Sequence, residues 1–274
     1  MRLSFTPYCG KNMVKETKRG ALMFEPVNPD YSRSPAIVLK GYLKGEGDGP
    51  WHAHSKAELL CPVDRVVTVI TEEGMWVTPP QKAVWILPSV KHMINCPTPF
   101  TLLALYCAPE LAPRREKCCV VTMDALMREL MEAAAILGDV YDQNGPGARL
   151  MAVLLDHLGI LPVAPLSLTY PKDERAQKLA RRMSADTSNA DSISRLASEC
   201  GFSARTATRI FIEETGLPPA QWRGQLRLLE AMRKLGQGES VTTVALESGY
   251  QDISSFIAFF KKSTGQTPSR FFKV

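Results

Sequence analysis

Three of the four histidines in this 274-residue chain fall in one constellation, His52-x-His54-x3-Glu58 followed by His92. Imidazole nitrogen and carboxylate oxygen form a donor set suited to a divalent transition metal, and the set does not distinguish nickel, zinc, iron or manganese. On an extended strand the side chains at i and i+2 share a face, so His52 and His54 point the same way. After three more residues Glu58 returns to that face from the next strand segment. The same pocket has a second reading, as the site of a small organic effector. The histidines and Glu58 would then be hydrogen-bond partners, and Trp51, Trp76 and Trp85 apolar walls. In a third reading these residues fill a core and bind nothing. The fourth histidine, His157, lies in a later helical stretch and reads as structural.

A second kind of chemistry, contact with a nucleic acid, is written twice in the last hundred residues. The first copy runs Leu196-Ala197, three residues, Gly201-Phe202-Ser203, then Arg209-Ile210-Phe211, Gly216 and Pro219. The second runs Val244-Ala245, three residues, Gly249-Tyr250-Gln251, then Phe259-Phe260-Lys261, Gly265 and Pro268. One insertion near Asp252 brings everything downstream into register. A short apolar helix, a tight turn that favours Gly at its φ > 0 position, and a second helix packed back on the first account for the spacing. Leu196, Ala197, Phe202, Ile210 and Phe211 form the expected packed face. Arg205, Thr206, Thr208 and Arg209 project from the second helix on the face that would enter a major groove.

Several elements must hold these groups in place. Between residues 36 and 121, short runs rich in Val, Ile, Thr and Trp alternate with Gly and Pro and no helical period intervenes, which predicts an antiparallel β-domain, a barrel or jelly roll. Residues 123–137 and 148–158 read as two amphipathic helices around Gly145-Pro146-Gly147. The first has an apolar stripe of Leu126, Leu130, Ala133, Ala134 and Leu137, which packs on the barrel or forms a dimer contact. Residues 162–171, with three prolines and no period, read as a linker. Residues 172–183 open the last domain as a helix, and 221–235 connect its two repeats as another. The expected boundaries are 1–121, 122–161, 162–171 and 172–274.

Composition sets the remaining bounds. The net charge is +5, and all of it lies in residues 171–274, an asymmetry that suits a polyanionic partner. No apolar run is long enough for a membrane helix and the polar N-terminus does not read as a signal peptide. Seven cysteines, an odd number at irregular positions that include Cys9, suggest reduced thiols in the cytoplasm. Adjacent Cys118 and Cys119 sit in an apolar run that reads as a buried strand, where thiols are inert.

The duplicated pattern resembles the DNA-binding domain of the AraC/XylS family of bacterial transcription regulators over roughly residues 171–274. Both turn glycines, both closing Gly and Pro positions, the unequal spacing and Phe260-Lys261-Lys262 fall where the family has them. Ile257 and Ala258 match places where the family carries a polar residue and an arginine. Base reading is therefore expected mainly from the first unit. The second would use Ser254, Ser255, a thymine-methyl contact from Ile257, and phosphate contacts from Lys261 and Lys262. The histidine spacing resembles the first motif of the cupin barrels, and Pro88 to His92, then Asn95, resembles a degraded second motif with Ser89 at the usual glycine. The resemblance implies an α+β multidomain protein: an N-terminal cupin-like antiparallel β-barrel with two helices, and an all-α double helix-turn-helix domain. It also implies an effector-responsive DNA-binding regulator, an activator touching RNA polymerase and a homodimer, and no catalytic role. A metal-dependent cupin enzyme with a helical appendage is the alternative, and it leaves the duplicated units unexplained.

Overall fold

The computed structural model describes residues 29–45 and 47–272, with the backbone of 15–16 and 22–23; Cys9 lies outside the described residues. A short pair, β1 (Lys15–Glu16) and β2 (Leu22–Met23), precedes two antiparallel sheets. The first sheet has the order β12-β11-β8-β5-β10-β3 and the second β13-β7-β6-β9-β4. Their strands are β3 (Ala36–Leu43), β4 (Gly47–Asp48), β5 (Ala57–Pro62), β6 (Val67–Thr71), β7 (Gly74–Thr78), β8 (Lys82–Ile86), β9 (His92–Cys96), β10 (Phe100–Cys107), β11 (Cys119–Thr122), β12 (Val163–Ala164) and β13 (Ser167–Thr169).

Strand alternation divides the first sheet cleanly. Leu60, Val84, Ile86, Leu102 and Ala104 face inward, against Val67, Val69 and Cys96 of the second sheet. Their neighbours Leu59, Cys61, Trp85, Leu103 and Leu105 face outward and are covered by two helices, α1 (Ala125–Ala135) and α2 (Pro146–Ile160). Because both faces are buried, β5 from Leu59 to Cys61 and β8 from Ala83 to Ile86 are continuously apolar, with Glu58 the charged exception. Asp124 caps α1 by accepting from Met127 N, and Pro146 opens α2 at a position where a missing N–H costs nothing. Of the expected α1 stripe, Ala134 is fully buried and Leu130 and Leu137 pack against the core, whereas Leu126 is 52 % exposed; Met127 and Met131 complete the buried face.

The segment expected to be a bare linker is paired: β12 extends the first sheet beside β11, and β13 extends the second beside β7. It still joins the two halves of the chain, but as strands, and its carbonyls hold the next domain. Trp222 Nε1 donates to Thr169 O at 2.8 Å, and Gln225 Nε2 donates to Pro165 O at 2.7 Å.

The C-terminal region is all helical: α3 (Glu174–Ala185), α4 (Ile193–Glu199), α5 (Ala204–Thr215), α6 (Pro219–Gly236), α7 (Val241–Glu247), α8 (Ile253–Thr264) and α9 (Pro268–Phe271). The duplication extends to its capping chemistry. Ser192 and Ser240 cap α4 and α7, while Ser203 and Asp252 cap α5 and α8. Gly201 and Gly249 turn the chain at φ +84° and +79°, a region that costs a side-chain-bearing residue about 1–2 kcal/mol. The expected face of Leu196, Ala197, Phe202, Ile210 and Phe211 is buried throughout. Its core is continuous with the interior of the two sheets, and α6 approaches so closely that a side chain on Gly236 would collide with Val66. Among the described residues no helix is long and apolar enough to cross a membrane.

Candidate metal centre and nucleic-acid interface

The first site lies between the two sheets. Glu58 projects inward from β5, and His92 opens β9 opposite it. His52 stands outside the named strands, yet its N–H and C=O exchange two 2.9 Å hydrogen bonds with those of His92, which sets the two residues side by side. His54 O accepts from Ser89 N at 2.9 Å, tying the second histidine to the turn before β9. Ser89 adopts φ +61°, a left-handed conformation at the position where the cupin motif carries glycine.

Each imidazole is oriented by its backbone. Nδ1 lies 3.0 Å from Pro50 O in His52, 2.7 Å from Lys56 O in His54 and 2.9 Å from Val90 O in His92. Carbonyl oxygens only accept, so all three Nδ1 atoms carry protons and the Nε2 atoms are left for the centre. One ring nitrogen from each of the three histidines lies within 4.8 Å of the others. Glu58 Oε2 is 3.0 Å from His54 Nε2 and 3.3 Å from His92 Nε2. The latter approach lacks hydrogen-bond alignment, and His92 Nε2, fully buried, has no hydrogen-bond partner. Four ligand atoms at about 2.1 Å from an ion would be separated by ~3.0 Å in a cis octahedral and ~3.4 Å in a tetrahedral arrangement. The two Glu58 contacts fall near these separations, and the triad of His52, His54 and His92 could bind a divalent metal.

Electrostatics agree with this grouping. Burial pushes the Glu58 carboxyl up, but the contacts of His54 and His92 outweigh it and bring the pKa down to about 2. Burial likewise opposes charge on His54, and the Glu58 hydrogen bond and charge more than reverse that, raising its pKa. His52, at the solvent edge, has its pKa lowered by burial.

Sequence reasoning missed Tyr106, which lies opposite Glu58 in the β10–β5 register and meets the His54 ring edge-on at 5.1 Å and 90°. Burial and then the Glu58 charge push its phenol well above the usual range. The signal was the inward phase of Leu102, Ala104 and Tyr106.

The three tryptophans do not share one wall. Trp76 is buried, pairs with inward-facing Val69 and donates to Cys118 O at 3.1 Å. Trp85 is fully buried on the opposite face of its strand, against α1 and α2, so it does not line the space that holds the histidines. Trp51 is 44 % exposed with Lys91 over its ring. Asn95 bonds Asp48 at 2.6 Å, away from the centre.

On α5, Arg205 and Arg209 are exposed, and Arg209 pairs with Glu213 at 2.9 Å. The Thr206 hydroxyl is engaged with Ser203 at 3.0 Å and that of Thr208 donates to Ala204 O at 2.9 Å. Ile212, 49 % exposed and one turn beyond Thr208 and Arg209, joins this face and had not been anticipated. On α8, Ser254, Ser255, Lys261 and Lys262 are exposed, and Ser255 Oγ bonds the capping Asp252 at 2.6 Å. Ile257 is half-buried against the core, which restricts its reach toward a base.

Residues 196–273 match the model of a helix-turn-helix domain. The HTH-type transcriptional regulator NimR of Escherichia coli is 31 % identical over 222 residues, 81 % of this chain and 81 % of that protein. The HTH-type transcriptional regulator RipA of Corynebacterium glutamicum is 32 % identical over 111 residues, 40 % of this chain and 32 % of that one. Among solved structures, ToxT from Vibrio cholerae with a bound unsaturated fatty acid aligns over 88 % of this chain and 96 % of that one, at a TM-score of 0.36 and 10 % identity. A paired helix-turn-helix domain behind a β-rich N-terminal half, with such relatives, defines a DNA-binding transcription regulator. The chain belongs to the AraC/XylS family of such regulators.

Proposed function

We propose that this regulator senses a divalent metal, alone or carrying a small effector, at the centre formed by His52, His54, His92 and Glu58, and that occupancy governs DNA binding. The observation that carries the proposal is the set of three Nδ1 hydrogen bonds to backbone carbonyls, which leaves the Nε2 atoms of three clustered histidines for a ligand, with those of His54 and His92 beside the buried Glu58 carboxylate. Bound there, a metal would supply a Lewis-acidic point that draws the two sheets together through ligands from both. On the DNA side, Arg205 and Arg209 of α5 read bases. Lys261 and Lys262 contact phosphates, with Ser254 and Ser255 beside them. Activation through RNA polymerase and dimerisation complete the proposal. Dimerisation is supported by Leu126, Val153 and Ile160, each half or more exposed on α1 and α2.

Elemental analysis of purified wild-type protein and of a His52→Ala, His54→Ala double variant tests the metal centre. Near-stoichiometric metal in the wild type, lost in the folded variant, is the expected result. Metal-free wild type with intact DNA binding would leave an organic effector as the occupant.

A further inference from the structure

Two arginines on α6, the helix between the DNA-binding units, grip the segment between α3 and α4. Arg227 donates from Nε to Thr187 O at 2.7 Å and from Nη2 to Asn189 O at 2.8 Å, and Arg223 Nη1 donates to Asp191 O at 2.7 Å. The three carbonyls alternate along the irregular segment between α3 and α4, where regular pairing leaves them unsatisfied. Charge-assisted bonds from a planar guanidinium are short, strong and directional, so they fix the path by which the chain enters the first unit.

The same segment touches the second unit. A Cβ on Gly249, the turn residue of that unit, would lie 2.8 Å from Ser188 O, so the turn and the segment are in direct backbone contact. Tyr250, next in the turn, feels the charge of Arg227. Its ring packs 5.5 Å from both Phe256 and Phe259, on the side of α8 that faces the core. Arg227 thus stands where the connecting helix, the entry to the first unit and the turn of the second unit meet.

We propose that Arg227, assisted by Arg223, is a positioning residue for DNA recognition that sets the separation and phase of α5 and α8, and so the number of base pairs between the two half-sites. One base pair of B-DNA displaces a half-site by about 3.4 Å and rotates it by about 34°, so a change in spacing registers any loosening of this junction. The proposal is independent of what occupies the N-terminal centre.

The test is selection of bound duplexes from a random-sequence library by the full-length protein, scored for the spacer between the two enriched half-sites. Wild type should enrich a single spacer. Arg227→Gln should enrich several spacers, or only the first half-site. Its affinity for the best wild-type duplex should fall about tenfold while that for the first half-site alone stays within about twofold. Gly249→Ala, which pushes on the junction from the other side, should shift the preferred spacer. The same single spacer with both half-sites from folded Arg227→Gln would overturn the proposal, even with a lowered melting temperature. Should Arg227→Gln not fold, Arg223→Gln, which removes one of the three bonds, carries the same reading, and an unaltered spacer there overturns it equally.

Discussion

Ser89 holds φ at +61° to bring its N–H to His54 O, and the strain of that conformation is about 1 kcal/mol. Ser89→Gly should therefore raise stability by up to about 1 kcal/mol in a denaturant titration; a loss would mean that the serine side chain has a stabilising role. In the DNA-reading helices, Arg209→Ala should relax specificity at one base position by about 1–3 kcal/mol. Lys261→Ala should weaken all sequences alike and reduce the salt slope by about one. The opposite assignment in salt-dependent binding curves would contradict the division of labour. Cys61 and Cys107, buried and pushed up to about 12, should resist alkylation near neutral pH until the protein unfolds, because the thiolate is the reactive form. Rapid labelling of the folded protein would refute that. At this scale the grouping of the histidines and Glu58 was legible from their spacing, because residues two apart on extended backbone share a face. Tyr106 was not, since its role depends on a strand partner 48 positions earlier. Trp85 was misplaced because β8 is apolar on both faces and its phase is fixed only by the helices that cover it.

At the scale of elements, the two turn glycines separate backbone strain from steric contact. A Cβ on Gly201 meets nothing within 4 Å, whereas one on Gly249 meets Ser188 O at 2.8 Å. Gly201→Ala should cost about 1–2 kcal/mol from its positive φ, and Gly249→Ala measurably more. Equal costs in equilibrium unfolding would show that the contact at Ser188 yields freely. The helices were legible because turn glycines, caps and apolar faces repeat within a few residues of one another. The strands at 163–164 and 167–169 were not, because two- and three-residue strands carry no period and their partners, β11 and β7, lie far back in the chain. The misplacement of Leu126 in the α1 stripe has a similar origin: Leu126 and Met127 are both apolar, and the sheet beneath selects the methionine.

Across the whole molecule, one core runs from the interior of the sheets into the helical domain, and the joining segment is stitched to a sheet on one side and to α6 on the other. The proposed centre would draw ligands from both sheets, Glu58 from β5 and His92 from β9, and the second of these sheets carries β13. A change in how the sheets close on the centre thus has a packed route to the helix that spaces the DNA-reading units. Such coupling is typically worth 1–3 kcal/mol, or about 5- to 150-fold in affinity. The most direct test is the affinity of the full-length protein for a selected duplex, measured metal-loaded and after chelation, in wild type and in His92→Ala. We expect at least a fivefold difference between the two states of the wild type and none in the variant. Identical affinities in a wild type shown to have gained and lost its metal would contradict the account.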